Sequence, residues 1–146
     1  MRTTIRLWNY GMMLRCLIVD DNRRFLDVAR NLLELEGVTV VGLASSSAEA
    51  LDRVEELRPD VTLLDIELGS ESGFDLARRL DQRADTTSCP MILISTHAEA
   101  DYADLIEASP VLGFVSKSAL SGSAIRDLLR GRGDGEHTEA IHDPGA

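Results

Sequence analysis

The sequence predicts an α/β fold in which a parallel five-stranded sheet carries helices on both faces. Two observations indicate it: short apolar runs rich in β-branched residues recur along the chain, and amphipathic stretches with helical spacing separate them. A chain of 146 residues is long enough to bury one core without disulfides or a structural metal. The predicted strands are residues 16–19, 38–44, 61–64, 91–94 and 113–115.

The first two helices have clear boundaries in the sequence. Apolar residues at helical spacing predict a helix over residues 23–36, and Gly37 stands just past its end. Its inner face is predicted to carry Phe25, Leu26, Ala29, Leu32 and Leu33. Ser46 followed three residues later by Glu49 fits a capping box. We therefore expect the second helix over residues 46–58, before a proline that ends it.

Three further helices carry weaker signals. The third is predicted over residues 73–83, and the fourth, which is short, over residues 102–108. Apolar residues at 125, 128 and 129 mark the inner face of a fifth helix, for which Gly131 predicts the end. These elements complete a (βα)₅ pattern, which places one folded domain at residues 14–130.

Two terminal segments fall outside this pattern. Residues 1–13 form an N-terminal extension in which Met12 or Met13 is a candidate for the biological start, a hypothesis that N-terminal sequencing of native protein would test. Residues 131–146 are rich in glycine, histidine and acidic residues without periodicity. That composition predicts a disordered acidic tail.

The charge balance excludes several classes of partner. The formal net charge is −10 and the sequence pI is near 4.7, which disfavours direct binding to nucleic acid or to anionic lipid. The apolar runs fall far short of the roughly 20 residues of a membrane span, and the N-terminus lacks the apolar region of a secretory signal. We expect a cytoplasmic protein whose Cys16 and Cys89 are buried, reduced thiols.

Polar side chains follow the predicted strands at their carboxyl ends, where open parallel sheets bind ligands. Each has an ordinary explanation alone: the two aspartates cap a helix, the hydroxyls cap another, and the lysine is a solvated cation. Together, three carboxylates in one crevice repel one another unless a cation is present, and Mg²⁺ is the hard ion that such oxygens hold. A carboxylate beside Mg²⁺ and an ammonium group can accept a phosphoryl group. These residues are Asp20, Asp21, Asp65, Ser95, Thr96 and Lys117.

Four ordered motifs give the chain a resemblance to a known family. They are residues 17–22 (LIVDDN), residues 63–65 (LLD) with Gly73, residues 94–95 (IS), and residues 113–117 (GFVSK). The chain resembles, over residues 14–130, the CheY-like receiver domain of bacterial two-component response regulators. Its motif style is nearest to receivers of LuxR/NarL-type regulators. The resemblance implies a flavodoxin-like (βα)₅ fold with strand order 2-1-3-4-5, and a signalling domain rather than an enzyme.

The resemblance also implies roles for individual residues. Asp65 would be the phosphoacceptor and, with Asp20, Asp21 and the backbone carbonyl of Glu67, would hold Mg²⁺. Ser95, with Thr96 after it, would be the switch hydroxyl at the phosphate. Lys117 would be the cationic partner of the phosphate, and Phe114 the aromatic residue that follows the switch; plain packing on an edge strand is the alternative for Phe114.

Several residues depart from the usual receiver pattern. Gly69 stands where the family often has proline, which predicts a more mobile loop after Asp65. Thr96 is larger than the family prefers and is expected to narrow access to the site, while Glu67 and His97 flank the same route. Ser118 replaces a proline, so the resemblance leaves the geometry of the preceding peptide open, because a cis bond before a non-proline residue costs about 2.5–4 kcal/mol.

The predicted partners are proteins. A sensor histidine kinase or phosphotransfer protein would supply the phosphoryl group, and an unknown output protein would bind the face of the fourth helix, fifth strand and fifth helix; a homodimer is left open. The residues after the fifth helix are too few for a DNA-binding module, so we expect a stand-alone receiver or one whose output domain has been lost or removed.

Two alternative functions compete with this interpretation. One is a binding module that keeps the receiver fold without being phosphorylated, against which the intact acidic residues and Lys117 argue. The other is a Mg²⁺-dependent phosphatase of the haloacid dehalogenase type, which requires a D-x-D motif where this chain has Asp65-Ile66-Glu67.

Overall fold

The computed structural model describes residues 13–83 and 89–141, with side chains described up to residue 131. Five parallel strands form the central sheet: β1 (Leu14–Val19), β2 (Val38–Ala44), β3 (Val61–Asp65), β4 (Met91–Ser95) and β5 (Gly113–Ser116). Their order in the sheet is β2-β1-β3-β4-β5. The predicted α/β class and the strand order 2-1-3-4-5 are therefore confirmed.

Five helices connect and follow the strands: α1 (Arg23–Leu35), α2 (Ser47–Leu57), α3 (Gly73–Arg83), α4 (Ala103–Glu107) and α5 (Gly122–Ile141). Side chains at the N-caps fix two starting points, since Asn22 Oδ1 accepts from the Phe25 amide and Ser46 Oγ from the Glu49 amide. Gly37 has a φ of 86°, as expected of a residue that ends a helix.

The sheet separates two apolar layers. Leu26 and Leu33 of α1 pack with Ile125 and Leu129 of α5 against one face. On the other face, the side chains of α2 and α3 pack together, and Ile106 of α4 joins them. This three-layer arrangement buries the middle strands almost completely, as expected of a parallel sheet covered on both sides.

The fifth helix differs from its prediction. It runs to Ile141, so the expected end at Gly131 is wrong. Gly131 does not adopt the left-handed conformation of a helix-ending glycine, and a Cβ built there meets nothing within 4 Å. A glycine can continue a helix at a cost of about 1 kcal/mol relative to alanine. The predicted disorder of the tail stays a prediction; Met12 and residues 142–146 lie outside the described residues.

The fourth helix starts differently from its prediction, because a 3₁₀ turn over Glu99–Tyr102 precedes α4. The segment after β3 also forms a small hairpin of Glu67–Leu68 paired with Glu71–Ser72, which the sequence did not predict. Strands β3 and β4 each extend one residue beyond their predictions, to Asp65 and Ser95. Both residues therefore lie at the carboxyl edge of the sheet.

The two cysteines occupy different environments. Cys16 is fully buried in β1, where burial raises the pKa of its thiol, and Cys89 before β4 is half-buried rather than buried. Neither forms a disulfide. None of the helices in the described part of the chain combines the length and the apolar character that a bilayer span requires.

Candidate functional site

Three carboxylates meet at the carboxyl edge of the sheet. Asp20 and Asp21 follow β1, and Asp65 ends the neighbouring strand β3, since Val19 pairs with Leu64 in the parallel register. Each offers one oxygen, and these three oxygens all lie within 4.8 Å of one another. Asp20 and Asp65 are buried and Asp21 is exposed. Solvent therefore reaches the site at Asp21, whereas Asp20 and Asp65 form its buried side.

The side chain of Asp20 is held from two sides. Its Oδ1 accepts a hydrogen bond of 2.8 Å from the Asn22 amide, and its Oδ2 lies 2.6 Å from Lys117 Nζ. The contact with Lys117 is an ion pair without hydrogen-bond geometry, so Oδ2 is buried without a hydrogen-bond donor among the described residues. A buried acceptor of this kind favours a further cation or a bound water.

Asp65 lies under opposing influences. Desolvation by burial, followed by the charge of Asp20, raises the pKa of Asp65 to about 7, whereas Lys117 and the Glu67 amide act to lower it. The Glu67 amide donates to Asp65 Oδ1 over 3.3 Å, and Lys117 Nζ lies 3.7 Å from Oδ2. Added positive charge at this site would shift Asp65 towards its ionised form.

Lys117 is placed by an aromatic ring as well as by the carboxylates. Its ammonium nitrogen lies 4.4 Å above the centre of the Phe25 ring, a cation–π contact. Sequence reasoning assigned Phe25 only to the apolar face of the first helix and missed this contact. A signal existed, because Asn22 caps α1 and so puts Phe25 in its first turn, beside the acidic pair.

The peptide between Lys117 and Ser118 is trans, since the described residues contain no cis peptide bond. Lys117–Ala119 forms a 3₁₀ turn directly after β5. Ser116 and Ser118 place their hydroxyl oxygens 3.0 Å apart across this turn. The sequence left open whether this peptide is cis or trans, because Ser118 stands where the family often has proline. The structure shows the trans form.

The hydroxyl residues behave differently from each other. Ser95 is 1% exposed, and its Oγ accepts a hydrogen bond of 2.9 Å from the His97 amide. Thr96 beside it is exposed.

Phe114 on the edge strand β5 is half-buried and packs against the layer of α2 and α3. This is the packing that the alternative interpretation of Phe114 expects. Its switch role stays a prediction.

The hairpin after Asp65 depends on two glycines. Gly69 has a φ of 63° at the hairpin tip, a conformation that proline cannot adopt, which explains the departure from the usual residue. A Cβ built on Gly73 would lie 2.2 Å from the backbone oxygen of Asp65. The hairpin is therefore folded tightly back onto the strand that ends in Asp65. Whether it is more mobile than in relatives stays a prediction.

Three side chains cluster at the hairpin, of which Glu67 and His97 are exposed and Tyr102 is half-buried. Glu67 Oε2 accepts a hydrogen bond of 2.8 Å from the Tyr102 hydroxyl and lies 3.6 Å from His97 Nδ1. The bond to Glu67 raises the pKa of Tyr102 above its ordinary value, so the hydroxyl stays protonated at neutral pH. The predicted neighbours Glu67 and His97 do lie together, but Tyr102 was missed, because nothing local in the sequence relates residues 67 and 102.

The donor set fits Mg²⁺. Three carboxylate oxygens converge, one of them a buried acceptor without a hydrogen bond, and Mg²⁺ binds through one or two carboxylates while keeping several waters. Asp21 is exposed, so the site is accessible to solvent on that side. The structure thus brings together the three predicted carboxylates and Lys117, with Ser95 at the end of the adjacent strand.

Comparison with known protein families decides the classification. The family model described as the response regulator receiver domain matches residues 16–129. The chain belongs to this family. Receiver domains are signalling domains of two-component systems, and the receiver family uses Mg²⁺. The sequence resemblance to CheY-like receivers is therefore confirmed.

Individual relatives agree with this membership. The receiver is 30% identical over 124 residues to the transcriptional regulatory protein DesR of Bacillus subtilis, covering 82% of this chain and 60% of DesR. It is similar to the receiver domain of NarL from Mycobacterium tuberculosis, with a TM-score of 0.70, 29% identity, and 82% and 98% of the two chains covered. A LuxR-family response regulator from Aurantimonas sp. SI85-9A1 gives a TM-score of 0.74 at 26% identity, with 82% and 86% covered.

Proposed function

We propose that this receiver domain accepts a phosphoryl group on Asp65 in the cytoplasm, from a sensor histidine kinase or a phosphotransfer protein, and signals through protein contacts. The observation that carries the proposal is the convergence of three carboxylates and Lys117 at one edge of the sheet. In this arrangement a carboxylate oxygen of Asp65 attacks phosphorus, the new O–P bond forms, and the P–N bond of the phosphohistidine breaks. The electron pair returns to the imidazole nitrogen.

The residues around Asp65 are suited to bind Mg²⁺ and the transferring phosphoryl group. Asp20, Asp21, Asp65 and the Glu67 carbonyl would bind Mg²⁺, which neutralises negative charge on the transferring phosphoryl oxygens. Lys117, already between Asp20 and Asp65, would pair with a phosphoryl oxygen. Its position over the Phe25 ring limits where the ammonium group can move.

Ser95 would bind the phosphoryl group through its own proton. Its Oγ accepts from the His97 amide, so the hydroxyl hydrogen is available to donate to a phosphoryl oxygen. We propose this contact as the switch, with Phe114 following it and exposed Thr96 narrowing the approach of the donor. The output surface would then be the face of α4, β5 and α5.

The test is the intact mass of the protein after incubation with acetyl phosphate and Mg²⁺. We expect the wild type to gain one phosphoryl group that hydroxylamine releases, since an acyl phosphate reacts with this nucleophile. Asp65→Asn should gain none. Asp52→Asn on exposed α2 is the matched control and should be phosphorylated as the wild type is.

Chelation of divalent ions provides a second arm. Excess chelator should stop the mass gain in the wild type if Mg²⁺ is held as proposed. A phosphoryl group on Asp65→Asn would place the acceptor elsewhere. No gain in the wild type, either with acetyl phosphate or with a panel of histidine kinases, would favour the binding module that is not phosphorylated.

A further inference from the structure

Helix α4 is weakly attached to the rest of the domain. Every side chain of α4 and of the 3₁₀ turn before it is at least partly exposed, and Leu105 is 53% exposed. Only Tyr102 and Ile106 of this segment pack against the apolar layer beneath. Segments with few buried contacts open locally at a low free-energy cost. The contacts of Tyr102 therefore weigh heavily in the position of α4.

Tyr102 makes three contacts with different elements. Its ring lies 5.9 Å from the Phe74 ring of α3 and 6.0 Å, edge-on, from the His97 ring. Its hydroxyl donates a hydrogen bond of 2.8 Å to Glu67 Oε2. The ring contacts hold the residue on the core, while the hydroxyl joins it to the hairpin that follows the phosphorylation site.

Glu67 is connected to Asp65 within two residues. Its backbone amide donates to Asp65 Oδ1 over 3.3 Å, and its backbone pairs with Ser72 in the hairpin. The same residue thus contacts the acceptor carboxylate through its backbone and the start of α4 through its side chain. This is a direct connection across 35 positions of sequence, in which neither Ser95 nor Phe114 takes part.

We propose that the hydrogen bond between Tyr102 and Glu67 holds the start of α4 in place in the unphosphorylated protein, and that phosphorylation of Asp65 breaks it. The release step rests on the proposed function. A phosphoryl group adds negative charge two residues from the exposed Glu67 carboxylate, and like charges repel each other. It also alters the oxygen that the Glu67 amide contacts. Tyr102 is thus a positioning residue that links the site to α4.

Hydrogen exchange of backbone amides tests the proposal on the intact chain. The reporters are the amides of Asp101, Ala108 and Ser109. The Asp101 amide donates to the carbonyl just before the 3₁₀ turn, and the other two donate to carbonyl groups of α4. Tyr102→Phe removes the hydroxyl and keeps the ring. We expect exchange in this segment to be roughly three- to tenfold faster in Tyr102→Phe than in wild type before phosphorylation, the loss expected for one hydrogen bond.

Phosphorylation supplies the second comparison. Wild type treated with acetyl phosphate and Mg²⁺ should reach the exchange rate of Tyr102→Phe, and treatment of Tyr102→Phe should add little. Glu71→Gln is the matched control, because this carboxylate lies on the same hairpin but accepts from the Ser47 amide at α2. Its α4 exchange should equal that of wild type. The Leu64 amide in β3 should be unchanged in all variants, which shows that opening is local.

The outcomes separate the two proposals. Equal exchange in Tyr102→Phe and wild type before phosphorylation overturns the role of Tyr102. Phosphorylated wild type that keeps the slow exchange of the untreated protein overturns the release step. If intact mass shows that wild type gains no phosphoryl group, the proposed function and the release step both fail, while the comparison without phosphorylation still decides whether Tyr102 holds α4.

Discussion

The neighbours of Asp65 place the pKa of its carboxyl group close to neutral pH. Burial and the charge of Asp20 raise its pKa to about 7, and Lys117 opposes them from 3.7 Å. The ammonium nitrogen of Lys117 lies closer to Asp20 than to Asp65, since its distance to Asp20 Oδ2 is 2.6 Å. Positive charge is thus shared between the two buried carboxylates. A further cation would leave Asp65 ionised, the form that is nucleophilic.

This balance predicts a pH dependence of stability without divalent ions. The folded-state pKa of Asp65 lies above its ordinary value, so between about pH 4 and pH 7 the folded state keeps a proton that the unfolded state has lost. This group therefore contributes a loss of stability as pH rises through that window. Asp65→Asn removes the contribution.

Urea unfolding of wild type and Asp65→Asn in chelator would measure this effect. The free energy of unfolding should be similar at pH 4 and should favour Asp65→Asn above pH 7, by an amount on the order of a few kcal/mol. Asp65 interacts with the charges of Asp20, Asp21 and Lys117, so the difference reports Asp65 together with these interactions, while the remaining titrating groups are common to both proteins. Parallel pH profiles would contradict the raised pKa.

At the scale of elements, the hairpin between β3 and α3 determines the shape of the site. Gly73 lies against the backbone of Asp65 and Ile66, and its amide donates to the Ile66 carbonyl over 2.8 Å. Ser72 Oγ then accepts from the Phe74 amide at the start of α3. The chain therefore reverses directly after Asp65. A side chain at position 73 has no room.

Gly73→Ala is predicted to destabilise the protein and to displace the end of β3 at Asp65. The added Cβ would lie 2.2 Å from the Asp65 backbone oxygen, and such overpacking costs about 1–3 kcal/mol or more. Chemical denaturation would measure the loss, and phosphorylation by acetyl phosphate should slow. A stability equal to that of wild type would show that the backbone moves aside freely.

Gly131→Ala is expected to raise the stability of the protein, in contrast to Gly73→Ala. In the structure Gly131 lies within α5 and a Cβ there meets nothing within 4 Å. Alanine should therefore stabilise the protein by up to about 1 kcal/mol. If instead Gly131 ended the helix in a left-handed conformation, as the sequence alone suggested, the substitution would destabilise. Denaturation of this variant distinguishes the two helix ends directly.

At the scale of the whole molecule, the two apolar layers determine which residues matter for folding. Helix α1 illustrates this, since Leu33 is fully buried against the sheet and Leu35, two positions on, is 87% exposed. The sequence predicted Leu33 on the inner face from its spacing, and the structure agrees. Two leucines of the same helix are therefore expected to contribute differently to the free energy of unfolding, because one is buried in the apolar layer and the other is exposed.

Leu33→Ala and Leu35→Ala form a matched pair. The first should lower the free energy of unfolding by about 2–5 kcal/mol, because it removes buried contacts and leaves a cavity. The second should change it by less than about 0.5 kcal/mol. Urea denaturation measures both. Similar losses in the two variants would mean that Leu35 is covered in solution, for instance by a second copy of the chain.

Local patterns were sufficient for the elements and their order. Capping residues, helical spacing and β-branched runs act over a few neighbouring positions, so the boundaries at Ser46 and Gly37 followed from nearby residues. The cap of α1 is Asn22 rather than the two aspartates before it. Strand alternation with helices then implied a parallel sheet, and parallel strands end at one edge. The meeting of Asp20, Asp21, Asp65 and Lys117 could therefore be predicted before any coordinate was known.

Longer-range features depended on the tertiary structure. The hydrogen bond between Glu67 and Tyr102, the Phe25 ring beneath Lys117, and the raised pKa of Asp65 each require the relative placement of distant side chains. The continuation of α5 past Gly131 is also decided by the fold, since glycine permits both a helix end and a helix interior. By itself the sequence determined the fold class and the residues at the acidic edge, because these follow from periodicity and from the parallel direction of the strands, whereas the strand order came from the resemblance to receiver domains. Distances, burial and contacts across elements were decided only by packing, because they depend on how side chains from separate parts of the chain fill the same space.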